Sequence, residues 1–147
     1  MLETSIEQDF RQALKAKDEI QLSTLRMLKS ALHNQKISSK KSELSDQEVL
    51  KIVASEVKRR RDSIIAYQEG NRPELAAKEQ AEIEILTKYL PAQLSEEEIK
   101  QIVEKTMAAN PEAKDNIGLA MGKVMPQLKG RADGNLVKKI VKDILES

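Results

Sequence analysis

Cysteine and tryptophan are absent from the 147 residues, and Phe10, Tyr67 and Tyr89 are the whole aromatic content. Without cysteine there is no disulfide, no thiol nucleophile and no cysteine-based metal site. With so few rings the core has to be assembled from Leu, Ile, Val, Met and Ala. No apolar run approaches the ~18 residues that a membrane span needs, so no membrane partner is expected. The opening Met1-Leu2-Glu3-Thr4 is neither basic nor followed by an apolar stretch, so no signal peptide is read there. These absences set the expectation of a cytoplasmic protein. Glycine and proline are scarce, five and four residues, and mostly sit where a helix would end.

Charge is what the chain has in quantity. A third of the residues are charged against 39% hydrophobic, which argues for amphipathic helices and against disorder. The fold class is all-α, with N-terminal helical hairpins followed by a C-terminal three-helix bundle. Seven helices carry start and stop signals. Thr4 with Glu7 reads as a capping box for the first, whose inward stripe is Ile6, Phe10, Ala13 and Leu14. Asp18 caps the second, with Ile20, Leu25, Leu28 and Leu32 on one side. Ser45 with Glu48 opens a long third helix that Gly70, taken as a left-handed terminator, closes. Pro73 starts the fourth, and Pro91 forces its end near Leu90. Ser95 with Glu98 starts the fifth and Asn110-Pro111 ends it. Asp115 starts the sixth, Gly130 ends it, and Asp133 caps the last.

A proline, a helix cap and a swing in charge coincide at residues 91–94. The expected domains are therefore residues 1–92, a helical N-terminal part, and 93–147, a three-helix C-terminal part. Residues 74–104 hold eight acidic and three basic side chains, whereas residues 114–142 hold seven basic and two acidic. Only the later stretch suits a polyanion.

Three constellations stand out. On a wheel of about 100° per residue, Arg60 falls only about 20° from Val49, inside the apolar stripe of the third helix. Glu79 and Glu82 likewise share the apolar face of the fourth. An antiparallel hairpin about Gly70-Asn71-Arg72 would set residue 60 opposite residue 82, so Arg60 with Glu79 or Glu82 is expected as a structural ion pair. Lys58 and Arg59 point away from that stripe. The second constellation is cationic: Lys138, Lys139 and Lys142 lie opposite the buried side of the last helix, and Lys123, Lys129 and Arg131 precede it. These six are candidate contacts to RNA phosphates. The third is a segment that breaks helical rules, where Gly118, Gly122 and Pro126 interrupt Ile117, Met121, Val124 and Leu128. Its glycines are expected to let a neighbouring backbone approach.

Catalytic machinery is not found. His33, the single histidine, has no partner of catalytic type and is read as a surface residue. The chain lacks a Walker loop, a Gly-x-Ser-x-Gly elbow and a His-Glu-x-x-His helix. Glu96-Glu97-Glu98 suits a helix N-terminus better than a metal. No catalytic residue, cofactor or metal site is predicted.

The run Gly122-Lys123-Val124-Met125, then Lys129-Gly130-Arg131-Ala132-Asp133-Gly134 and Val137, resembles the signature of the GatB/YqeY family. Leu25-Arg26-Met27-Leu28, the stretch from Glu79 through Tyr89-Leu90-Pro91, and Leu94-Ser95 with Glu97-Glu98-Ile99 fit as well. The likeness covers essentially the whole chain and is strongest to the small free-standing YqeY-like proteins. It implies a link to translation through the GatB component of the glutamine-dependent Asp/Glu-tRNA amidotransferase, whose tail domain engages tRNA. It thereby implies an association with carbon–nitrogen ligase activity using glutamine as amido-N-donor, without the ATP-handling or glutaminase parts. Activity of the chain alone is not expected. Two functions follow: a non-catalytic tRNA- or RNA-binding module that relies on shape and charge, or a protein-interaction adaptor docking on an amidotransferase or another translation component.

Overall fold

The computed structural model describes residues 1–128 and 130–147. Among the described residues there are seven α-helices and no strand: α1 (Leu2–Ala16), α2 (Glu19–Ser39), α3 (Asp46–Glu69), α4 (Pro73–Thr87), α5 (Glu96–Ala109), α6 (Ile117–Leu128) and α7 (Gly134–Glu146). The fold is all-α, as the periodicity and caps specify. A single 3-10 turn, Pro111–Ala113, lies between α5 and α6. The chain divides into two compact units, Met1–Leu90 and Pro91–Ser147.

The first unit is built from α1 to α4 around Ile6, Leu25, Leu28, Leu32, Leu44, Val49, Val53, Val57, Ile83 and Leu86. Its principal pair is the α3–α4 hairpin. The Ser45–Glu48 capping box forms, each residue satisfying the other's backbone N–H. The turn after α3 differs from expectation. Gly70 has φ −85° and Asn71 takes the left-handed conformation at φ 56°. Asparagine tolerates that region, and the Arg72 N–H then reaches back to the Tyr67 carbonyl at 2.7 Å.

The start of α1 also departs from the sequence pattern. The helix begins at Leu2, so Thr4 is interior and caps nothing. A tertiary contact replaces the local cap, because the Leu2 N–H donates to Asp46 Oδ1 at 2.9 Å. Glu3 in turn accepts from the Leu44 N–H at 2.7 Å. Leu14 and Ile20, expected in buried stripes, are exposed. They flank the α1–α2 turn, where Lys17 and Asp18 end one helix and start the next and little is left to cover them.

The second unit closes α5, α6 and α7 over Ile99, Val103, Ala113, Ala120, Val124, Leu128, Val137 and Val141. Helix α6 is capped by Asn116, whose Oδ1 accepts from the Leu119 N–H at 3.1 Å, one residue later than the expected Asp115. Its buried stripe is Ala120, Val124 and Leu128, while Ile117 is exposed. Gly118 and Gly122 are exposed, about 200° around the helix from the Ala120 stripe. A methyl group added at Gly122 would meet nothing within 4 Å, and one at Gly118 would meet only the Asn116 side chain. The close backbone packing expected of these glycines is therefore not made. The small residue at the helix contact is Ala120.

Candidate nucleic-acid interface and a buried charge cluster

Two charge-bearing regions emerge, one in each unit, and they are built on opposite terms. In the first, Arg60, Glu56 and Glu82 are all at least 94% buried. Arg60 Nε donates to Glu82 Oε2 at 3.0 Å, and Nη1 donates to Glu56 Oε2 at 2.8 Å and to the Glu56 carbonyl at 3.1 Å. Nη2 faces the Met27 sulfur at 3.5 Å. Burial opposes the guanidinium charge, but the hydrogen bonds to Glu56 and Glu82 outweigh it and hold the Arg60 pKa above its ordinary value. Among the described residues no buried side-chain polar atom lacks a partner. The cluster is thus satisfied, as a buried ion pair must be to persist.

Glu79, the other carboxylate considered for this pair, stands within reach of Arg60's field but makes no ion pair with it among the described residues. Desolvation first, and the neighbouring Glu82 charge second, push its carboxyl up, while Arg60 partly offsets both. Glu56 was missed by the sequence reading. Its signal was present in the i, i+4 spacing to Arg60 on one helix. His33 lies exposed on α2.

In the second unit the turn between α6 and α7 fixes the cationic segment. Gly130 sits at φ +77°, which a side chain would strain. Its carbonyl accepts from Gln93 Nε2 at 2.9 Å, and the Arg131 carbonyl accepts from the Leu94 N–H at 2.8 Å. Asp133 then caps α7 through the Asn135 N–H. Along α7, Val137 and Val141 face the core, and Lys138, Lys139 and Lys142 are exposed. Lys123 on α6 and Arg131 in the turn are exposed as well. Lys129 lies outside the described residues. None of Lys123, Arg131, Lys138, Lys139 and Lys142 has a carboxylate within ion-pair distance among the described residues. By contrast, Lys29, Lys36 and Lys41 of the first unit pair with Glu7, Glu3 and Glu48 at 2.6–3.0 Å.

Glu96, Glu97 and Glu98 occupy the first turn of α5, where Ser95 accepts from the Glu98 N–H. The box is one-sided: the Glu98 carboxylate takes the Ser95 hydroxyl at 3.1 Å. Among the described residues no group of three or more His, Asp or Glu side chains is arranged to hold a metal. No helix there is long and apolar enough to cross a membrane.

These features define an all-helical protein of two units, the second bearing exposed, unneutralised cations on its last two helices and the turn between them. Over residues 3–145 the sequence matches the model of the Yqey-like protein family, and the chain belongs to that family. It is similar to altered inheritance of mitochondria protein 41, mitochondrial, of Pyrenophora tritici-repentis, with 27% identity over 144 residues covering 95% of this chain and 78% of that protein. The proteins of the same name from Vanderwaltozyma polyspora and Saccharomyces cerevisiae are 32% and 34% identical over 68% and 69% of this chain. The chain spans about half the length of these two, 55% and 56%. The names correct the expectation of a cytoplasmic location, since they assign the relatives to the mitochondrion. The absences that prompted that expectation, no cysteine and no long apolar run, do not distinguish one aqueous compartment from another.

Proposed function

We propose that the chain is a non-catalytic RNA-binding module that takes structured tRNA, holding backbone phosphates with the cations of its second unit. The observation that carries this reading is the exposure of Lys138, Lys139 and Lys142 on one side of α7, without carboxylate partners among the described residues, with Lys123 and Arg131 of the same unit likewise exposed. Lys129 is included as a sequence candidate. Such contacts add affinity with little sequence preference and strong salt dependence. With three aromatic residues in the chain, recognition rests on shape and charge, not on stacked bases. The resemblance to the amidotransferase tail supports tRNA as the class of RNA and a place beside carbon–nitrogen ligation, without activity of its own.

Replacing Lys138, Lys139 and Lys142 by Glu is expected to weaken tRNA binding by at least about tenfold while helicity and melting hold. Unchanged binding would remove the proposal. A second reading, docking on an amidotransferase or other translation protein, is favoured by one observation. Helix α6 exposes Ile117 and Leu119 beside the open glycines Gly118 and Gly122. Under that reading Leu119→Glu abolishes the protein complex and leaves tRNA binding alone.

A further inference from the structure

A hollow of about 370 Å³ opens between α2 and α3 in the first unit, with Arg26, Ser30 and Asn34 on one wall and Glu56 and Arg59 on the other. Arg26 is exposed, and its guanidinium carbon lies over the Phe10 ring, 6.0 Å from the centroid, at the outer limit of a cation–π contact. Among the described residues it has no carboxylate partner. The Arg59 side chain is 69% exposed and approaches Glu56 Oε1 at 3.6 Å, longer than a hydrogen bond. The other Glu56 oxygen is held by buried Arg60 at 2.8 Å. The carboxylate on the wall is therefore shared between Arg60 behind it and Arg59 at the rim, while Arg60 also serves Glu82. Counting the groups at and beneath the hollow, Arg26, Arg59 and Arg60 outnumber Glu56 and Glu82. Ser23 and Ser39 on α2 return their hydroxyls to carbonyls one turn back. Ser30 and Asn34 make no side-chain hydrogen bond among the described residues, so their polar groups are available.

We propose that this hollow binds a phosphate-class oxyanion, gripped by the guanidinium forks of Arg26 and Arg59 and by the donors Ser30 and Asn34. Guanidinium forks carried on facing helices match the planar, multidentate geometry of phosphate oxygens better than point charges do. The volume exceeds a bare phosphate, and Ala31 with exposed Met27 supplies an apolar wall for an attached organic group. The ligand is a phosphomonoester, either a free small molecule or the terminal phosphate of an oligonucleotide. This site lies in the first unit and does not depend on the cations of the second, so either assignment can fail alone.

The test is an amide NMR titration of the full chain at low ionic strength. The probes are inorganic phosphate, pyrophosphate, and an RNA dinucleotide with and without a 5′-phosphate. Saturable shifts are expected at Arg26, Ser30, Asn34 and Arg59. Arg26→Gln and Arg59→Gln should each weaken binding about tenfold, the scale of one lost charge-assisted hydrogen bond, and Arg59→Lys should not restore it. Ser30→Leu, which fills the hollow and keeps both arginines, should also abolish binding. All three positions are exposed, so unchanged helicity is expected and is checked by circular dichroism. A dinucleotide that binds more tightly than pyrophosphate, and only when phosphorylated, assigns the ligand to an oligonucleotide end. Equal or weaker binding assigns it to a small phosphate. The absence of saturable shifts in the hollow, equal affinity in the glutamine variants, or parental binding by Ser30→Leu would overturn the site.

Discussion

The two units contain similar side chains and use them differently. In the first, Arg60 is driven into the apolar stripe of α3 and locked between Glu56 and Glu82, and the surface lysines Lys29, Lys36 and Lys41 are each tied to a glutamate. In the second, the exposed lysines of α7 make no ion pair among the described residues. A cation that is buried and paired is part of the scaffold, since removing it leaves uncompensated charge. A cation left exposed and unneutralised adds little to the fold and is free to meet a phosphate. Exposure without a partner is not confined to the second unit, since Lys15, Lys51 and Lys58 of the first are also exposed and make no ion pair among the described residues, so the contrast rests on the named clusters.

The comparison breaks hardest at Arg60. Arg60→Met should destabilise the first unit by about 3–5 kcal/mol, because Glu56 and Glu82 remain buried without their cation. Replacing all three by Met and Leu should recover most of that loss. The second unit, with its own core, should keep its melting transition in both variants, as differential scanning calorimetry would register. If Arg60→Met melts like the parent, the cluster is not structural. Next in size is the opposite experiment in the second unit, where charge reversal at Lys138, Lys139 and Lys142 costs binding and not stability. Smaller still is Gly122→Ala. An added methyl meets nothing within 4 Å, so the variant should gain roughly 0.5–1 kcal/mol from helix propensity, read as a higher melting temperature. A loss would mean that the glycine face is covered.

The smallest effect concerns pH and belongs to the first unit. The hydrogen bond from Lys29 lowers the Glu7 pKa, and that from Lys41, followed by the Ser45 backbone, lowers that of Glu48. A carboxyl lowered in the folded state contributes stability above its unfolded value, near 4.5, and loses it as pH falls through the folded value. Melting of the first unit should therefore decline below pH 4.5, and added salt should shrink the effect. A flat profile would show these exposed pairs to be idle.

Much of the fold was legible because it rests on local signals. The Asp18, Ser45 and Asp133 caps and Pro73 at the head of α4 are each fixed within a few residues of sequence. The failures share a tertiary cause. The Leu2 N–H is satisfied by Asp46, forty-four residues away, so no local cap at Thr4 is needed. Leu14 and Ile20 have the right period and lack a neighbour to cover them. The glycines of α6 have helical spacing but face away from the core, which periodicity alone cannot reveal when Ala120 supplies the competing stripe. At the charge cluster, the Arg60–Glu82 pair follows from the geometry of a hairpin, whereas Glu56 joins it through the i, i+4 spacing within α3. The hollow between α2 and α3 joins residues from two helices whose relative rotation no sequence pattern gives.

The central claim, that the exposed cations of the second unit contact RNA phosphates, is tested most directly by the salt dependence of tRNA binding. The slope of log affinity against log salt should be compared for the parent and for the chain with Lys138, Lys139 and Lys142 replaced by Gln. Each lost phosphate contact should remove about one unit of slope, so the variant should be shallower by about three. Parallel lines for the two proteins, at whatever affinity, would contradict the assignment of these lysines to RNA.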